Sequence, residues 1–534
     1  MNRHHLAIAG LWLLLVVIAL NFRSYIPIDE TRYVAVAWGM WLRGDFLVPY
    51  LNNIPYSHKP PLLFWLMNAG WAMFGVNDWW PRLVPSLFAL GSIFLTGSIA
   101  RRLWPQLPQV AQIAQVILLG SGLWMVFTTA TMFDMMVAFF TLFGMLAILI
   151  AWQEKTLKGW LLLGLAIGGG LLAKGPTILM QLLPLALLAP WWGRDAKPTS
   201  WPRWIGGVLA AVLLGAVIAL IWAIPAGIRG GSEYQHAIFW GQTADRMVNS
   251  FAHRRPLWWY VPLLPLLLFP WLLWLPFWRG LRQLVPFDFG MRFCLAWLIP
   301  VFIAFSFISG KQVHYLLPIF PAFALLAARA LVTAEPRPWD AWPAALAIAI
   351  AAGILAYLPS HVHSHQMAVW FGALSIWPSC ILAALAMIAL FWRGRLMVEV
   401  WKMTLISATV VCVMLYWAIV HSSGVAYDMH PIAQHLKTLQ ERNIPLAHLG
   451  KYAGQYQFVG RLTREPEVLE YGKISDWFAV HPDGRVILYF SSELPLQDIL
   501  PEYEQAYRGD HVVVVGLKSW ELLLKHPEFK PGNQ

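Results

Sequence analysis

The sequence predicts an all-α polytopic membrane protein with a small α/β domain at its C-terminal end. Three observations carry this expectation. Of the 534 residues, 59% are hydrophobic and only 12% charged, a balance no soluble chain of this size needs. Apolar runs recur that approach the ~20 residues required to cross a bilayer core. From residue 421 onward these runs shorten and charge density rises.

Taken in order, the chain opens with a basic start and an apolar run at 6–21. No small-residue cleavage site follows, which predicts an uncleaved signal anchor. Further spans are expected at 83–103, 110–127, 136–152, 160–173, 177–192, 205–224, 257–278, 293–308, 315–331, 341–358, 369–392 and 403–421, about thirteen in all. Several contain proline (Pro184, Pro262, Pro265, Pro318, Pro321). These predict kinks, because neighbouring helices can satisfy the freed backbone groups. Trp pairs stand at the ends of apolar runs, as in Trp79-Trp80, Trp191-Trp192 and Trp258-Trp259, in the manner of interfacial belts.

Counted from a cytoplasmic N-terminus, every short inside loop carries basic residues: Arg101-Arg102, Lys155 and Lys158, Arg194 with Lys197 and Arg203, Arg279 with Arg282, Arg337, and Arg393 with Arg395, while several outer cations break this preference. The positive-inside rule then predicts a cytoplasmic N-terminus. The expected organisation is a membrane domain over 1–420 with a large first outer loop at 23–82, and an outer α/β domain over 421–534. In the latter, Ile432, Leu436 and Leu439 repeat at helical spacing, and 486–490 and 512–515 read as strands. In a Gram-negative cell this places the chain in the inner membrane, with its active site and C-terminal domain in the periplasm.

Composition also excludes function classes. The net charge of +11 is spread over many short loops, which suits topology and anion handling rather than nucleic-acid binding. Cys294, Cys380 and Cys412 lie inside apolar runs and form neither a metal spacing nor a disulfide framework. His361-Val362-His363-Ser364-His365 lacks a carboxylate or second cluster and reads as a solvated loop. There is no Gly-rich phosphate loop and no Ser–His–Asp arrangement, which favours a lipid-linked donor over a nucleotide-activated one.

The polar interruption at 27–61 is the informative stretch. It opens with Asp29-Glu30 and closes with His58-Lys59-Pro60-Pro61. A helix starting at Asp29 puts Arg32 and Tyr33 on its face at i+3 and i+4. An acidic pair at a helix start also serves as capping, and Trp-rich segments also serve as interfacial anchors. The wider charge pattern favours chemistry, because Asp29, Glu30, Lys59, Asp134, Lys174, Arg246, Arg254, Arg255 and Lys311 all fall on the outer side, near span edges. A carboxylate there would orient or deprotonate an incoming nucleophile, and the cations would stabilise charge growing on a leaving lipid phosphate. Asp29 is the candidate base and Lys59 the leading phosphate ligand, its backbone restricted by Pro60 and Pro61.

Asp134 reads equally as a helix cap and as a second acidic site residue. Lys174 of Lys174-Gly175-Pro176 reads as a snorkelling helix-end lysine. Arg246, and Lys311 with His314 and Tyr315, divide between anchoring and phosphate contact. A lipid-carrier flippase is the alternative from a different class. It would need charges near the midplane and an inverted repeat; neither pattern is present.

The elements Asp29-Glu30-Thr31-Arg32-Tyr33, Gly44-Asp45, Pro55-Tyr56-Ser57-His58-Lys59-Pro60-Pro61, Asp134, Lys174-Gly175-Pro176, Arg246 with His253, Trp258-Trp259-Tyr260 and Ser309-Gly310-Lys311 keep their order over roughly 6–331. Together they resemble the GT-C membrane glycosyltransferases that use polyprenyl-phosphate sugars, the lipid A aminoarabinose transferases and the wider protein O-mannosyltransferase superfamily. The resemblance implies a catalytic Asp29, donor-phosphate contacts by Arg32, Tyr56, Lys59, Arg246 and Tyr315, and inverting transfer from an undecaprenyl-phosphate sugar. The acceptor stays open between lipid A, another envelope glycan and a protein. Some relatives place a metal-binding Glu before the Lys; here it is His58, so a divalent metal, with His58 as candidate ligand, is left open. The full expected set is Asp29, Glu30 and Asp134 as catalytic carboxylates, with Arg32, Tyr33, Tyr56, Lys59, Arg246, Lys311 and Tyr315 around the donor phosphate. Membrane lipids are further expected partners.

Overall fold

The computed structural model describes residues 3–195, 200–245, 254–361, 374–391, 394–421, 423–490 and 499–525. In chain order the first helices are α1 (Arg3–Phe22), α2 (Asp29–Arg43), α3 (Leu62–Phe74), α4 (Trp79–Leu103), α5 (Pro108–Leu119), α6 (Gly122–Thr128), α7 (Asp134–Glu154), α8 (Leu157–Lys174) and α9 (Thr177–Leu187). Among the described residues nine helices are long and apolar enough to cross a membrane, or ten if the bent pair α5–α6 counts as one span. The chain is thus a multi-pass membrane protein; with α5–α6 counted as one span, the described residues hold three fewer full spans than the thirteen expected.

Three expected spans account for the difference. The run at 177–192 ends as a helix at Leu187, shortly after Pro184, and resumes only as the single turn Ala189–Trp192. The run at 257–278 breaks into short pieces, Val261–Leu263, Leu264–Leu267 and Trp271–Leu273, before Leu275–Gln283. Pro262, Pro265, Pro270 and Pro276 each remove a helical N–H donor there, and four prolines in fifteen residues exceed what a single span absorbs as kinks. The run at 369–392 is helical over Trp377–Phe391, and its start lies outside the described residues.

By packing, the chain divides into two units. The first comprises Met1–Ala19, Ser57–Ala352 and Cys380–Cys412. Within it, α7 and α8 are consecutive and antiparallel, reversed at Lys155 with φ 55°. Their 21 and 18 residues are nearly matched, each about 30 Å long at 1.5 Å per residue. The first residue of α7 and the last of α8 therefore lie at the same end. Helix α8 also packs closely on the long helix Trp201–Gly230, where Gly164 and Gly168 face Leu214 and Ile218 with no room for a Cβ. Helix α1 is tied to α4 by the Trp12 indole N–H donating to Ser86 O at 3.0 Å, and by Arg82 donating to Ala19 O at 2.8 Å.

The second unit comprises Leu20–Tyr56, Gly353–Ser379 and Val413–Gln534. Its first part holds α2, which Gly44 ends in the left-handed region at φ 63°, and the hairpin β1 (Tyr50–Leu51) and β2 (Ile54–Pro55). Its last part builds a five-stranded sheet from β3 (Leu446–Leu449), β4 (Glu467–Leu469), β5 (Arg485–Phe490), β6 (Tyr503–Tyr507) and β7 (Asp510–Val515), in the order β4-β3-β5-β7-β6. Strand β3 is parallel to both neighbours, and β7 is antiparallel to β5 and β6.

Alternation along β5 sends Val486, Leu488 and Phe490 into one core with Trp477, Phe478 and Trp520. Ile487 and Tyr489 enter the other, beneath Ile432, Leu436 and Leu439 of the helix His430–Glu441. On that second face His448, only 1% exposed, hydrogen-bonds the Tyr489 hydroxyl at 3.1 Å. Burial pulls its pKa from 6.5 down to about 4. The unfolded chain binds the proton more tightly, so the stabilisation is complete above pH 6.5 and is lost as pH falls toward 4. The predicted loss is about 3 kcal/mol over that window. It is measurable as acid sensitivity of the unfolding midpoint, which His448→Gln should blunt; equal acid sensitivity in the variant would refute it.

Candidate active site

The second unit displays the start of α2. Helix geometry puts Asp29 and Arg32 one turn apart, and Arg32 Nη2 donates to Asp29 Oδ1. Asp29 keeps 57% of its side chain exposed. The Arg32 guanidinium lies 5.4 Å from the Tyr33 ring centroid and within electrostatic reach of Tyr56. Its Nε is buried with no hydrogen-bond partner among the described residues. This turn therefore offers a solvent-facing carboxylate beside a cation that retains a donor.

Glu30, expected as a second catalytic carboxylate, is turned the other way, with 4% of its side chain exposed. Both its oxygens accept from Arg23, Nη2 to Oε1 at 3.0 Å, and Oε2 also accepts from Ile26 N at 2.8 Å. A carboxylate so engaged fastens the chain entering α2 and has no role as a base. Adjacent residues on a helix point about 100° apart, which lets Glu30 turn inward while Asp29 keeps to the solvent side.

The first unit gathers a different set. Asp134, buried at the first turn of α7, accepts from Lys174 Nζ at 2.5 Å at the last turn of α8. The Lys174 ammonium also lies 4.8 Å from the Tyr315 ring centroid. The Tyr315 ring meets His314 edge-on at 4.8 Å, and His314 packs on Phe127. Lys59, just ahead of α3, has its ammonium 5.7 Å from the Phe133 ring centroid, and both Lys59 and His314 act electrostatically on Asp134. Two ammonium groups around one carboxylate leave net positive charge, which suits an anion.

Lys174 is the residue the sequence reading undervalued. A snorkelling lysine has no carboxylate waiting for it, whereas this one is ion-paired. The matched lengths of the two apolar runs, 136–152 and 160–173, were the available signal. Lys311, expected at the donor phosphate, is 3% exposed and donates to Arg255 O at 3.0 Å and Ile308 O at 2.6 Å. Burial lowers its pKa. Together with the Arg254–Gly310 bridge and Arg255 N donating to Ser309 O at 3.1 Å, it ties two segments together, so its role is structural. The Tyr260 hydroxyl joins the same tie by donating to Gln312 O at 3.0 Å.

Arg246, His253, His363 and His365 lie outside the described residues. Among the described residues no three His, Cys, Asp or Glu side chains converge, His58 included. The described residues thus offer no three-ligand centre, and no chemical step is assigned to a metal.

Comparison with known proteins completes the description. Residues 58–222 match the family described as dolichyl-phosphate-mannose-protein mannosyltransferase. An undecaprenyl phosphate-alpha-4-amino-4-deoxy-L-arabinose arabinosyl transferase of Pseudomonas aeruginosa (strain UCBPP-PA14) is 31% identical over 324 residues, which are 58% of this chain and 56% of the relative. The chain thus spans little more than half of that relative's length. The transferase of the same description from Erwinia tasmaniensis is 30% identical over 421 residues, 73% of this chain and 74% of the relative. Among solved structures, ArnT from Cupriavidus metallidurans bound to undecaprenyl phosphate superposes with a TM-score of 0.74 at 20% identity, covering 95% of this chain and 97% of that one.

Proposed function

Because the chain belongs to the family of undecaprenyl phosphate-alpha-4-amino-4-deoxy-L-arabinose arabinosyl transferases, membrane glycosyltransferases of GT-C fold, we propose that it transfers a sugar from an undecaprenyl-phosphate donor to a cell-envelope acceptor. The observation that carries the reading is the first turn of α2, where an exposed Asp29 is paired with an Arg32 that keeps a buried, unpartnered donor. Aminoarabinose is the sugar that the named relatives favour, and lipid A is the acceptor that the family resemblance implies. Transfer occurs at the periplasmic face of the inner membrane, with the N-terminus cytoplasmic and residues 421–534 outside, in keeping with the basic residues of the alternate loops.

The acceptor oxygen attacks the anomeric carbon from the face opposite the phosphate. The carbon–oxygen bond to phosphate breaks, undecaprenyl phosphate leaves with the bonding pair, and Asp29 takes the acceptor's proton. Configuration at that carbon inverts. Arg32, Tyr56, Lys59, Arg246 and Tyr315, the residues that the resemblance assigns to the donor phosphate, supply donors and positive charge for the departing group. The match to the mannosyltransferase family at 58–222 takes in Lys59, Asp134 and Lys174. It therefore speaks for a shared lipid-phosphate donor and leaves a protein acceptor as the second reading.

The test is the purified chain in vesicles with undecaprenyl-phosphate aminoarabinose and lipid A, read by mass spectrometry. A mass increment on lipid A is expected. Donor that crosses the bilayer without being consumed would replace this reading with a flippase. In the same assay Lys59→Ala is expected to lower kcat/KM about tenfold, equivalent to ~1.4 kcal/mol of transition-state binding. An unchanged value would remove Lys59 from the phosphate set.

A further inference from the structure

Accepting Asp29 and Arg32 as reacting-site groups, we propose that the irregular loop 452–465 of the C-terminal segment positions the turn of α2 that carries them, with Phe458 as the principal positioning residue. Phe458 is fully buried, yet it belongs to neither apolar core of the five-stranded sheet. Its ring is directed instead at the catalytic helix. It meets Tyr25 at 5.9 Å and Trp38 at 6.1 Å, both edge-on. Tyr25 precedes Asp29 by four residues and Trp38 follows it by nine, so one side chain grips the chain on both sides of the carboxylate. The Arg461 guanidinium lies over that ring, 3.8 Å from its centroid.

Three further contacts place the same loop against the same helix and hairpin. The Trp38 indole N–H donates to Leu462 O at 2.9 Å. Gly454, at φ +73°, approaches so closely that a Cβ there would stand 2.8 Å from Ala35 Cβ and 3.0 Å from Leu51 Cδ1. Asn52 donates through its side chain to Tyr452 O and through its backbone N–H to Glu465 Oε1 at 3.2 Å. The N-terminal end of α2 has no side-chain cap of its own. Its placement is therefore set by these contacts, from residues 400 or more positions away in sequence, together with the Glu30–Arg23 fastening. Among the described residues the loop makes no hydrogen bond, ion pair or ring contact with Asp29 or Arg32, so it acts through the helix.

Phe458→Ala and the milder Trp38→Phe, which removes the indole N–H and part of the ring's packing area, test this in the full chain. For Phe458→Ala, kcat should fall about tenfold or more, because displacement of a reacting group by an ångström is enough. The donor KM should stay within about threefold. Trp38→Phe should shift kcat in the same direction by a smaller factor. Hydrogen–deuterium exchange supplies a readout independent of turnover: amides at 29–43 should exchange faster in both variants while those of β5 and β7 keep their protection. Unchanged exchange at 29–43, or faster exchange spread over the whole sheet, overturns the proposal by reducing Phe458 to a packing residue. Unaltered kcat per folded molecule does so too. A wild-type chain that forms no product would count against the transferase reading alone, because the exchange comparison still decides the positioning role.

Discussion

Asp29→Asn is expected to lower sugar transfer about 10²–10⁴-fold, the range for loss of a general base, while leaving the unfolding midpoint where it was. Its neighbour should do the reverse. Glu30→Gln keeps the shape but removes the charge that Arg23 faces, and breaking a buried pair from one side costs about 3–5 kcal/mol. The contrast rests on burial: Asp29 is 57% exposed and Glu30 4%. An exposed pair such as Asp29–Arg32 contributes at most about 1 kcal/mol, so its loss leaves the fold intact. Thermal unfolding in detergent, followed by intrinsic Trp fluorescence, and transfer per folded molecule separate the two effects. A stable Glu30→Gln protein without activity, or an active Asp29→Asn protein, would exchange the assignments.

Lys174→Met is the second large effect. It strands the Asp134 carboxylate at the edge of a span, 5% exposed, with its direct hydrogen-bonded cation gone. A loss of about 3–5 kcal/mol is expected. Asp134→Leu should behave alike from the other side. The double variant should recover much of the stability, since a well-packed apolar pair can replace a buried ionic one. The interaction energy from the cycle should be large and nearly independent of salt, because screening reaches buried pairs weakly. Additive single effects would mean that the two side chains are not coupled. Recovered stability without recovered transfer would assign the pair to the anion site as well as to the fold.

The local parts of the candidate site were legible in the sequence. A helix starting at Asp29 is expected to bring Arg32 onto its face, and α2 begins at Asp29 with Arg32 paired at i+3. The β-branched runs at 486–490 and 512–515 stand in the sheet as β5 and β7. The short span count has a local cause too, but one that apolarity alone concealed. Hydropathy over 257–278 marks a span, whereas Pro262, Pro265, Pro270 and Pro276 interrupt the helix. Lys311 shows the opposite failure: its position at the head of a span suggested phosphate contact, and only the arrangement of neighbouring carbonyls reveals it as a tie.

By itself the sequence determined that this chain lives in a membrane, where its polar interruption falls, and which side chains share a turn of α2. Those are consequences of transfer free energy and helix periodicity, which act within a few residues of each other. Tertiary structure alone decided that Asp29 faces solvent while Glu30 is buried, that Lys174 serves Asp134, and that a loop near residue 458 holds the helix near residue 38. Each of these depends on which surface packs against which, and a residue's own neighbours in sequence carry no record of that choice.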